Sequence, residues 1–430
     1  AALAKIRQQA NVGIMGDAFY DEAFCRAVVQ AIGEGKELAT AAGRLKFTPT
    51  AMFEAVAADV AKLEVERPSA LSSNTVVTLG EKLFLKGYRR LREGLNPELE
   101  MGRFLTDVAH YPNCVPVLGA LEYIGEDKRV LTLAMMQGYV SNQGDGWDHT
   151  LSYVQRFLEE LLTAGVISTG ATEAVEAHGG FLALIATLGQ RTAELHLALA
   201  LRTGDPSFDP EPLTSNDIAA FRKRASAETT NTLELLRARL RQLPEGTQAD
   251  ANALLDASRT LQSRIAAAAS DVKEGLKTRY HGDYHLGQVL VTGNDFVIID
   301  FEGEPARSFD ERRAKSSPLR DVAGMLRSLN YARWSALRHV AQQADEVTRL
   351  DPAVREWEHA TREAFLSAYA NTMSAAGSSA STGAATELNE DLLALFELEK
   401  AMYELRYELN NRTDWAQVPL QGILALLKAH

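Results

Sequence analysis

The chain has 430 residues, of which 46% are hydrophobic and 24% are charged. This composition excludes extensive disorder and allows two or three domains. The formal net charge of −12 argues against a nucleic-acid-binding protein but permits a small anionic ligand such as a nucleotide. No apolar run reaches the roughly 20 residues of a membrane-spanning helix. Two cysteines, Cys25 and Cys114, are too few for a disulfide framework, so a reducing cytoplasm is expected.

The first 70 residues are predicted to form short amphipathic helices, among them residues 24–32 and 49–63. A β-hairpin is then predicted from two short apolar runs, 76–79 and 82–86, around a glycine-containing turn. Asn96 is a candidate N-cap, because it precedes a proline and an acidic first turn. The apolar run that follows at 130–136 has the length of a strand.

The chain becomes mostly helical from about residue 148, with one further hairpin predicted at 290–301. Apolar residues at helical spacing predict helices over residues 153–164, 172–201, 216–240, 250–277 and 391–410, with another starting at Leu319. A Gly/Ser/Ala/Thr-rich stretch at 374–386 predicts a flexible loop. This order predicts an α+β fold with two lobes. The predicted divisions are an N-terminal segment at 1–70, a small mixed lobe at 71–140 and a helical lobe at 141–430.

Several common catalytic motifs are missing from the sequence. It contains no G-x-x-x-x-G-K-[ST] and no G-x-G-x-x-G after a strand, which argues against P-loop and Rossmann cofactor sites. It also lacks H-E-x-x-H, C-x-x-C and G-x-S-x-G, so zincin and α/β-hydrolase chemistry are not indicated.

The segments 280–288 (YHGDYHLGQ) and 297–302 (VIIDFE) instead follow the pattern of kinase-type phosphoryl transfer. Asp283, on a loop, would accept the proton of an attacking hydroxyl. Gln288 would offer an amide oxygen to a metal ion. Asp300, at the end of the predicted hairpin, would hold Mg²⁺ at the nucleotide phosphates, since carboxylates are hard oxygen ligands. His281 is expected to be structural, and Asp321 to support the loop from a helix start.

The segment before residue 140 offers the complementary nucleotide-binding groups. Lys86 ends a strand-like run, where a phosphate-gripping lysine would lie, and Glu100 is its predicted ion-pair partner. A hydrogen-bonding turn over the phosphates and an adenine-binding hinge at 135–139 complete the predicted site. The residues assigned to the turn and the hinge are Ser73, Asn74, Thr75, Met136, Gln137 and Tyr139.

Taken together, these motifs resemble those of maltokinases, ATP-dependent maltose 1-kinases with an aminoglycoside-phosphotransferase-like, protein-kinase-like fold. The resemblance runs from about residue 3 to about residue 425. It rests on the motifs SNTVVTLGEKLFLK, LNPELE, GDGWDHTL, HGDYHLGQVLV, IIDFEGEPARSFDERRAKSSPLRDVAGMLRS and YELRYELNNRTDW. H-G-D-x-H is shared with many small-molecule kinases, whereas Gln288 and the FEGEPA continuation are more specific to maltokinases and their close relatives.

The resemblance implies a bilobal kinase that uses ATP and Mg²⁺ to convert maltose to maltose 1-phosphate for α-glucan synthesis. It also implies possible fusion to, or association with, trehalose synthase, as in some bacteria. Relatives usually begin with a further cap segment. Here the cap is expected to be incomplete, because the sequence starts at alanine and that segment is reduced or absent.

The acceptor sugar is expected to bind the helical lobe. Glu399, Tyr403, Arg406 and Asn410 share one face of a predicted helix, which either lines a cleft or is simply solvated. Asp148 could lie at the cleft mouth, and His285 close to the acceptor.

Two alternatives remain open from the sequence. The first keeps the fold but phosphorylates glucosamine, an aminoglycoside or a choline-like acceptor. The second is a non-catalytic pseudokinase that acts as a scaffold for trehalose synthase.

Overall fold

The computed structural model describes residues 2–56, 62–68, 74–164, 178–270, 275–377 and 388–429. The chain divides into two compact units, the first formed by Ala1–Asn142 with Val297–Arg313 and the second by Gln143–Phe296 with Ala314–His430. Within the described residues, no helix combines the length and apolarity needed to cross a bilayer. The sequence-based division at 1–70, 71–140 and 141–430 stays a prediction.

The first unit is built on an antiparallel sheet. Strands β1 (Ala2–Gln8) and β2 (Asn11–Gly16) form a separate hairpin. The other strands are β3 (Glu37–Thr40), β4 (Gly43–Pro49), β5 (Val65–Glu66), β6 (Thr75–Leu79), β7 (Leu83–Gly87), β8 (Val117–Gly125) and β9 (Val130–Gly138). They form one seven-stranded sheet in the order β3-β4-β8-β9-β7-β6-β5.

Among its described residues before position 104, this unit has three α-helices. They are α1 (Glu22–Gly33), α2 (Phe53–Val56) and α3 (Pro97–Arg103). Asp21 caps α1 by accepting hydrogen bonds from the backbone N–H groups of Ala23 and Phe24. The helix buries Val28, Val29 and Ile32 in the core cluster that also contains the inward side chains of β6 and β7. This packing fixes the sheet on which the site residues of this unit lie.

The helices predicted for the first 70 residues are only partly correct. Residues 24–32 do lie in α1, but β1–β5 occupy much of the remainder. For residues 49–63, Pro49 ends a strand and α2 covers only Phe53–Val56; residues 57–61 lie outside the described part. The reason is tertiary pairing: β4 pairs with β8 along its whole length, from Gly43 to Pro49.

The predicted hairpin and the predicted helix start are confirmed. β6 and β7 pair directly across the turn at Gly80, which adopts a positive φ of 54°. Asn96 caps α3, since its Oδ1 accepts from the N–H groups of Glu98 and Leu99 at 2.9 and 3.4 Å. Lys86 on β7 and the acidic first turn of α3 are thereby held in one unit.

The second unit is mainly helical. Its helices are α4 (Gly146–Ala164), α5 (Gly179–Leu199), α6 (Ser215–Arg239), α7 (Glu245–Asp256), α8 (Ser258–Ala267), α10 (Leu319–Val340), α11 (Ala344–Gly377), α12 (Glu390–Asn411) and α13 (Gln417–Ala429). Helix α9 (Phe309–Arg313) belongs to the first unit. Short strands β10 (Glu211–Pro212) and β11 (Leu276–Lys277) pair with each other. β12 (Val289–Thr292) and β13 (Asp295–Ile298) form the predicted second hairpin, and the division between the units falls within β13.

The predicted fold class is confirmed: a mixed α/β amino-terminal part is followed by a helical carboxy-terminal part. Some boundaries differ. The helix predicted over 250–277 is two helices that meet at Ala257, followed by β11. Helix α11 runs into the predicted loop as far as Gly377, and residues 378–387 lie outside the described part, as do 165–177.

Candidate active site

Lys86 is the centre of a charged cluster in the first unit. It lies on β7, and only 8% of its surface is exposed. Its Nζ donates to Glu98 Oε2 and Oε1 at 2.8 and 3.0 Å, to Glu302 Oε1 at 2.6 Å and to Asp300 Oδ1 at 3.2 Å. The structure therefore brings together Lys86 and Asp300, two of the residues predicted from the sequence.

The predicted pairing of Lys86 with Glu100 is wrong by two residues, because Glu98 occupies that position. Successive residues of a helix are about 100° apart, so Glu100 projects from a different side of α3. There it accepts two hydrogen bonds from the Arg313 guanidinium, at 2.7 and 2.8 Å. Glu98 also accepts from the Tyr88 hydroxyl at 2.7 Å and is 3% exposed. Glu98 is thus the structural partner of the lysine.

The electrostatics of this cluster favour added positive charge. Burial, with Asp300 and Glu302 close by, raises the pKa of Glu98 to about 7, although Lys86 opposes the rise. Burial alone would lower the pKa of Lys86, but the three carboxylates outweigh it and hold that pKa above its ordinary value. Lys86 is therefore an ammonium in contact with three acidic groups.

The three acidic side chains also suit a divalent cation. Ligand oxygens of Glu98, Asp300 and Glu302 all lie within 4.8 Å of one another. Carboxylates are hard ligands of the kind that Mg²⁺ prefers. The three carboxyl groups outnumber the single ammonium of Lys86, so a bound cation would reduce the repulsion among them. Glu302 was not assigned a role from the sequence, although it lies in the FEGE motif two residues after Asp300.

Asp300 itself has an unusual backbone. Its φ of 62° lies in the left-handed region, which aspartate tolerates better than most residues. The segment before it is anchored in the first unit, because the N–H of Ile298 donates to the carbonyl of Asn113 at 2.8 Å. Such strained positions often mark functional sites. The conformation here carries the Asp300 carboxylate to Lys86.

Three residues were predicted to form the turn over the phosphates. Ser73 lies outside the described residues, and Asn74 and Thr75 bind different partners. Asn74 Nδ2 donates to Glu302 Oε1 at 3.3 Å, so Asn74 joins the Lys86 cluster. The Thr75 hydroxyl donates to Asp17 Oδ2 at 2.7 Å and accepts from Arg89 Nε at 2.9 Å. Asp17 and Arg89 were not singled out from the sequence.

The predicted adenine hinge falls at the end of β9. Met136 is fully buried in the core of the first unit, so its side chain contributes to packing. Gln137 pairs with Phe84 of β7. The N–H of Tyr139, just past the strand, donates to the Lys82 carbonyl at 2.8 Å, while 37% of the residue is exposed. A contact of these residues with adenine stays a prediction.

In the second unit, Asp283 lies on a loop whose backbone is hydrogen-bonded to the Asp321 side chain. The backbone N–H groups of His281 and Gly282 donate to Asp321 Oδ2 and Oδ1 at 2.7 and 2.9 Å. Asp321 is in the first turn of α10, and the loop can approach this helix closely because residue 324 is glycine. A Cβ at Gly324 would lie 2.5 Å from the Tyr284 carbonyl oxygen. The predicted supporting role of Asp321 is confirmed.

Lys400 is the charged neighbour of Asp283 that sequence reasoning missed. Its Nζ lies 3.6 Å from Asp283 Oδ1 and 5.3 Å from the centroid of the Tyr403 ring. Lys400 follows Glu399 directly on α12. Which of these two side chains points towards the Asp283 loop depends on the rotation of α12 about its axis, and the sequence does not give that rotation. Asp283, Lys400 and Tyr403 are thereby brought together.

His285 and Gln288 shape the turn that follows Asp283. His285 Nδ1 accepts from the Gly287 N–H at 3.1 Å, and the Gln288 N–H donates to the His285 carbonyl at 2.8 Å. The turn leads directly into β12. Acceptor binding by His285 and metal binding by the Gln288 amide stay predictions.

The predicted acceptor face of α12 is largely engaged with α6. Glu399 is 8% exposed and accepts from Arg224 Nε and Arg320 at 2.7 and 3.1 Å. Arg406 pairs with Glu228 of α6. Glu399 and Arg406 thus have their charges matched within the unit, so this face is neither simply solvated nor open along its whole length.

Two further predicted acceptor residues lie at exposed positions. Asn410 donates from its side chain to the Arg406 carbonyl at 3.0 Å. Asp148 lies in the first turn of α4, where its N–H donates to Asp145 Oδ1 at 2.8 Å. A role in acceptor binding stays a prediction for both.

Comparison with known proteins places these features in a family context. The model of the family described as "Phosphotransferase enzyme family" matches residues 64–357. A curated protein named glucosamine kinase from Streptacidiphilus jiangxiensis is 27% identical over 307 residues, which cover 71% of this chain but only 60% of that protein. Another glucosamine kinase, from Mycolicibacterium smegmatis, is 26% identical over 364 residues, covering 84% of this chain and 79% of that protein.

A solved structure has the same fold. It is described as "Glucosamine kinase in complex with glucosamine, ADP and inorganic phosphate" and superposes with a TM-score of 0.70 at 21% identity. The alignment covers 98% of this chain and 87% of that chain.

Proposed function

Because this chain belongs to the phosphotransferase enzyme family, we propose that it is an ATP-dependent sugar kinase that phosphorylates maltose at its anomeric hydroxyl, giving maltose 1-phosphate and ADP. The observation that carries the proposal is that the first unit holds a buried phosphate-type lysine, Lys86, while the second unit holds a loop carboxylate, Asp283, supported by Asp321. The resemblance to maltokinases and the charge around Asp283 support the choice of acceptor.

The first unit supplies groups for the nucleotide. The Lys86 ammonium would contact the ATP phosphates, with Glu98 holding its side chain extended. Asp300 would provide carboxylate oxygens for Mg²⁺, with Glu302 beside it. When bound, the ion neutralises charge on the phosphates. Asn74 would present its amide on the same side as Glu302.

The second unit supplies the group for the acceptor. Asp283 would accept a hydrogen bond from the anomeric hydroxyl, orient its oxygen for attack on the γ-phosphorus and take up its proton. The P–O bond to ADP breaks as the new P–O bond to the sugar forms. Since phosphoryl transfer needs little covalent help, positioning of this kind accounts for most of the catalysis.

The surroundings of Asp283 favour a neutral acceptor. Lys400 places a positive charge 3.6 Å from the carboxylate. A cationic amino sugar bound about 4 Å from that ammonium would be repelled by it by about 1 kcal/mol in water and by about 4 kcal/mol near a protein surface, which offsets attraction to Asp283. Glu399, the nearest acidic residue on α12 by sequence, is already paired with Arg224 and Arg320. Maltose carries no charge and avoids this repulsion.

Glucosamine is the second candidate acceptor, because the curated relatives reported above are named glucosamine kinases. The two acceptors can be compared by ADP release with maltose and with glucosamine, for the wild type and for Lys400→Met. We expect turnover of maltose by the wild type, and a rise in relative activity towards glucosamine when the positive charge is removed. Turnover of glucosamine alone, unaffected by Lys400→Met, would reject the maltose assignment.

A further inference from the structure

Three fully buried side chains form a hydrogen-bonded chain behind the Asp283 loop. His196 comes from α5, Asp321 from α10 and Tyr369 from α11, and none is more than 2% exposed. His196 Nε2 lies 3.3 Å from Asp321 Oδ2, and His196 Nδ1 lies 2.9 Å from the Tyr369 hydroxyl. This series of hydrogen bonds therefore ends at the Asp321 carboxylate, which accepts the backbone N–H groups of His281 and Gly282.

The hydrogen-bond roles in this chain follow from its chemistry. Asp321 accepts from two backbone N–H groups, so its carboxylate is an acceptor, and the hydrogen between it and His196 belongs to Nε2. In a neutral imidazole, Nδ1 is then an acceptor, and the Tyr369 hydroxyl is its donor. Burial raises the pKa of Tyr369 above its ordinary value, so this hydroxyl keeps its proton.

We propose that His196 and Tyr369 are positioning residues for Asp283. Tyr369 fixes His196 in the Nε2–H tautomer, and His196 in turn holds the Asp321 carboxylate against the backbone of the loop. This inference rests on the proposed kinase function, since it assigns a role in orienting its catalytic carboxylate.

A buried hydrogen-bond network specifies a single geometry only while every donor and acceptor in it has a partner. Without the Nε2–H, Asp321 would keep the two backbone donors but lose the side-chain donor that fixes the rotation of its carboxylate. Without the Tyr369 hydroxyl, the imidazole could take the Nδ1–H tautomer. Its unprotonated Nε2 would then face the Asp321 carboxylate, and the two acceptors would repel each other. Either change loosens the loop at Asp283 without touching the Lys86 cluster.

The test compares kcat and KM for Tyr369→Phe, His196→Leu and His196→Gln, whose amide can still donate towards Asp321. We expect kcat to fall by about tenfold in Tyr369→Phe and His196→Leu, because small misplacements of a reacting group are costly. The KM for ATP should stay unchanged, and His196→Gln should recover most of kcat. Wild-type kcat in folded Tyr369→Phe, or equal losses in His196→Gln and His196→Leu, would overturn the inference.

Phe365→Leu is the matched control, since Phe365 is fully buried one turn from Tyr369 on the same helix. It should lower the thermal unfolding temperature but leave kcat at 25 °C unchanged. If it lowers kcat as much as Tyr369→Phe, packing of α11 explains the effect and the inference fails.

A measurement that does not need turnover separates this inference from the proposed function. The ¹⁵N shifts of the His196 ring should show a protonated Nε2 and an unprotonated Nδ1 in the wild type, and this pattern should be lost in Tyr369→Phe. A wild type that phosphorylates no acceptor but keeps this pattern would refute the kinase function alone. A protonated Nδ1 with a bare Nε2 would refute the tautomer assignment whatever the activity.

Discussion

At Lys86, a buried ammonium has more acidic neighbours than it can neutralise. Its partners Glu98, Asp300 and Glu302 are 3.2 Å or less from Nζ. Removing the cation would leave Glu98 as a buried carboxylate that keeps the hydrogen bond from the Tyr88 hydroxyl but has lost its ion-pair partner. The lysine therefore stabilises the fold of the first unit as well as contacting phosphates in the proposed reaction.

We expect Lys86→Met to lower the free energy of unfolding by about 3 kcal/mol, because it leaves a buried charge unpaired. The double variant Lys86→Met/Glu98→Gln should recover most of this loss, since it removes that charge as well. Urea unfolding measures both. Lys82→Met, at an exposed position of the same hairpin, serves as the control and should be neutral. A Lys86→Met variant as stable as the wild type would show that Glu98 is not ionised in the folded protein.

His178 predicts a dependence of stability on pH. Burial lowers the pKa of this imidazole, which lies 2.7 Å from the Tyr153 hydroxyl. The unfolded chain takes up a proton near pH 6.5 that the folded chain binds only at lower pH, so stability is lost as the pH falls below about 6.5. We expect His178→Asn to have a flatter profile of unfolding free energy against pH in that range. An identical slope in the two proteins would contradict this assignment.

Sequence reasoning reached some site residues and missed others for identifiable reasons. Lys86 and Asp283 carry local signals, a strand end and the H-G-D-x-H motif. Glu98 and Glu100 share the same acidic turn, and choosing between them requires the rotation of α3 relative to β7. Lys400 approaches Asp283 only through tertiary packing of α12, and the helix face predicted from Glu399 and Tyr403 did not include it.

At the scale of elements, the Asp283 loop depends on the close approach of α10. The loop backbone is fastened to Asp321 at the start of this helix, and the Tyr284 carbonyl lies almost against Gly324 one turn later. The loop can occupy this position only because residue 324 lacks a side chain. Element geometry therefore determines where the proposed base points.

We expect Gly324→Ala to lower kcat by about tenfold, because the added Cβ would displace the loop backbone. Gly246→Ala in α7 is the matched control, since a Cβ there meets nothing within 4 Å. It should leave kcat unchanged and raise the free energy of unfolding by up to about 1 kcal/mol. Steady-state kinetics and urea unfolding measure the two effects. Unchanged kcat in Gly324→Ala would mean that the loop tolerates the shift.

The elements also show where local patterns are sufficient. The β6–β7 hairpin and the Asn96 cap follow from turn and capping residues close in the sequence. Strand β4 does not, because it is stabilised by pairing with β8, about 75 residues further along the chain, and β3 in turn pairs with β4. In residues 1–70, helical periodicity therefore failed to predict secondary structure where a segment pairs with a strand far away in the sequence.

For the whole molecule, the net charge and the family match together limit the functions that the chain can have. A net charge of −12 argues against a nucleic-acid partner, and the family match identifies a phosphotransferase. The first unit contributes the Lys86 cluster and the second the Asp283 loop. Each unit keeps its own set of groups in place through contacts internal to that unit.

In the proposed reaction, a phosphoryl group passes from ATP directly to maltose, and Asp283 accepts the proton of the attacking hydroxyl. The direct test is ³¹P NMR of a reaction with Mg²⁺-ATP and maltose, for the wild type, Asp283→Asn and the exposed control Asp256→Asn. We predict a maltose 1-phosphate signal for the wild type and the control, and a loss of at least about a hundredfold in rate for Asp283→Asn. A maltose 1-phosphate signal of equal size from Asp283→Asn, or none from the wild type, would contradict the account.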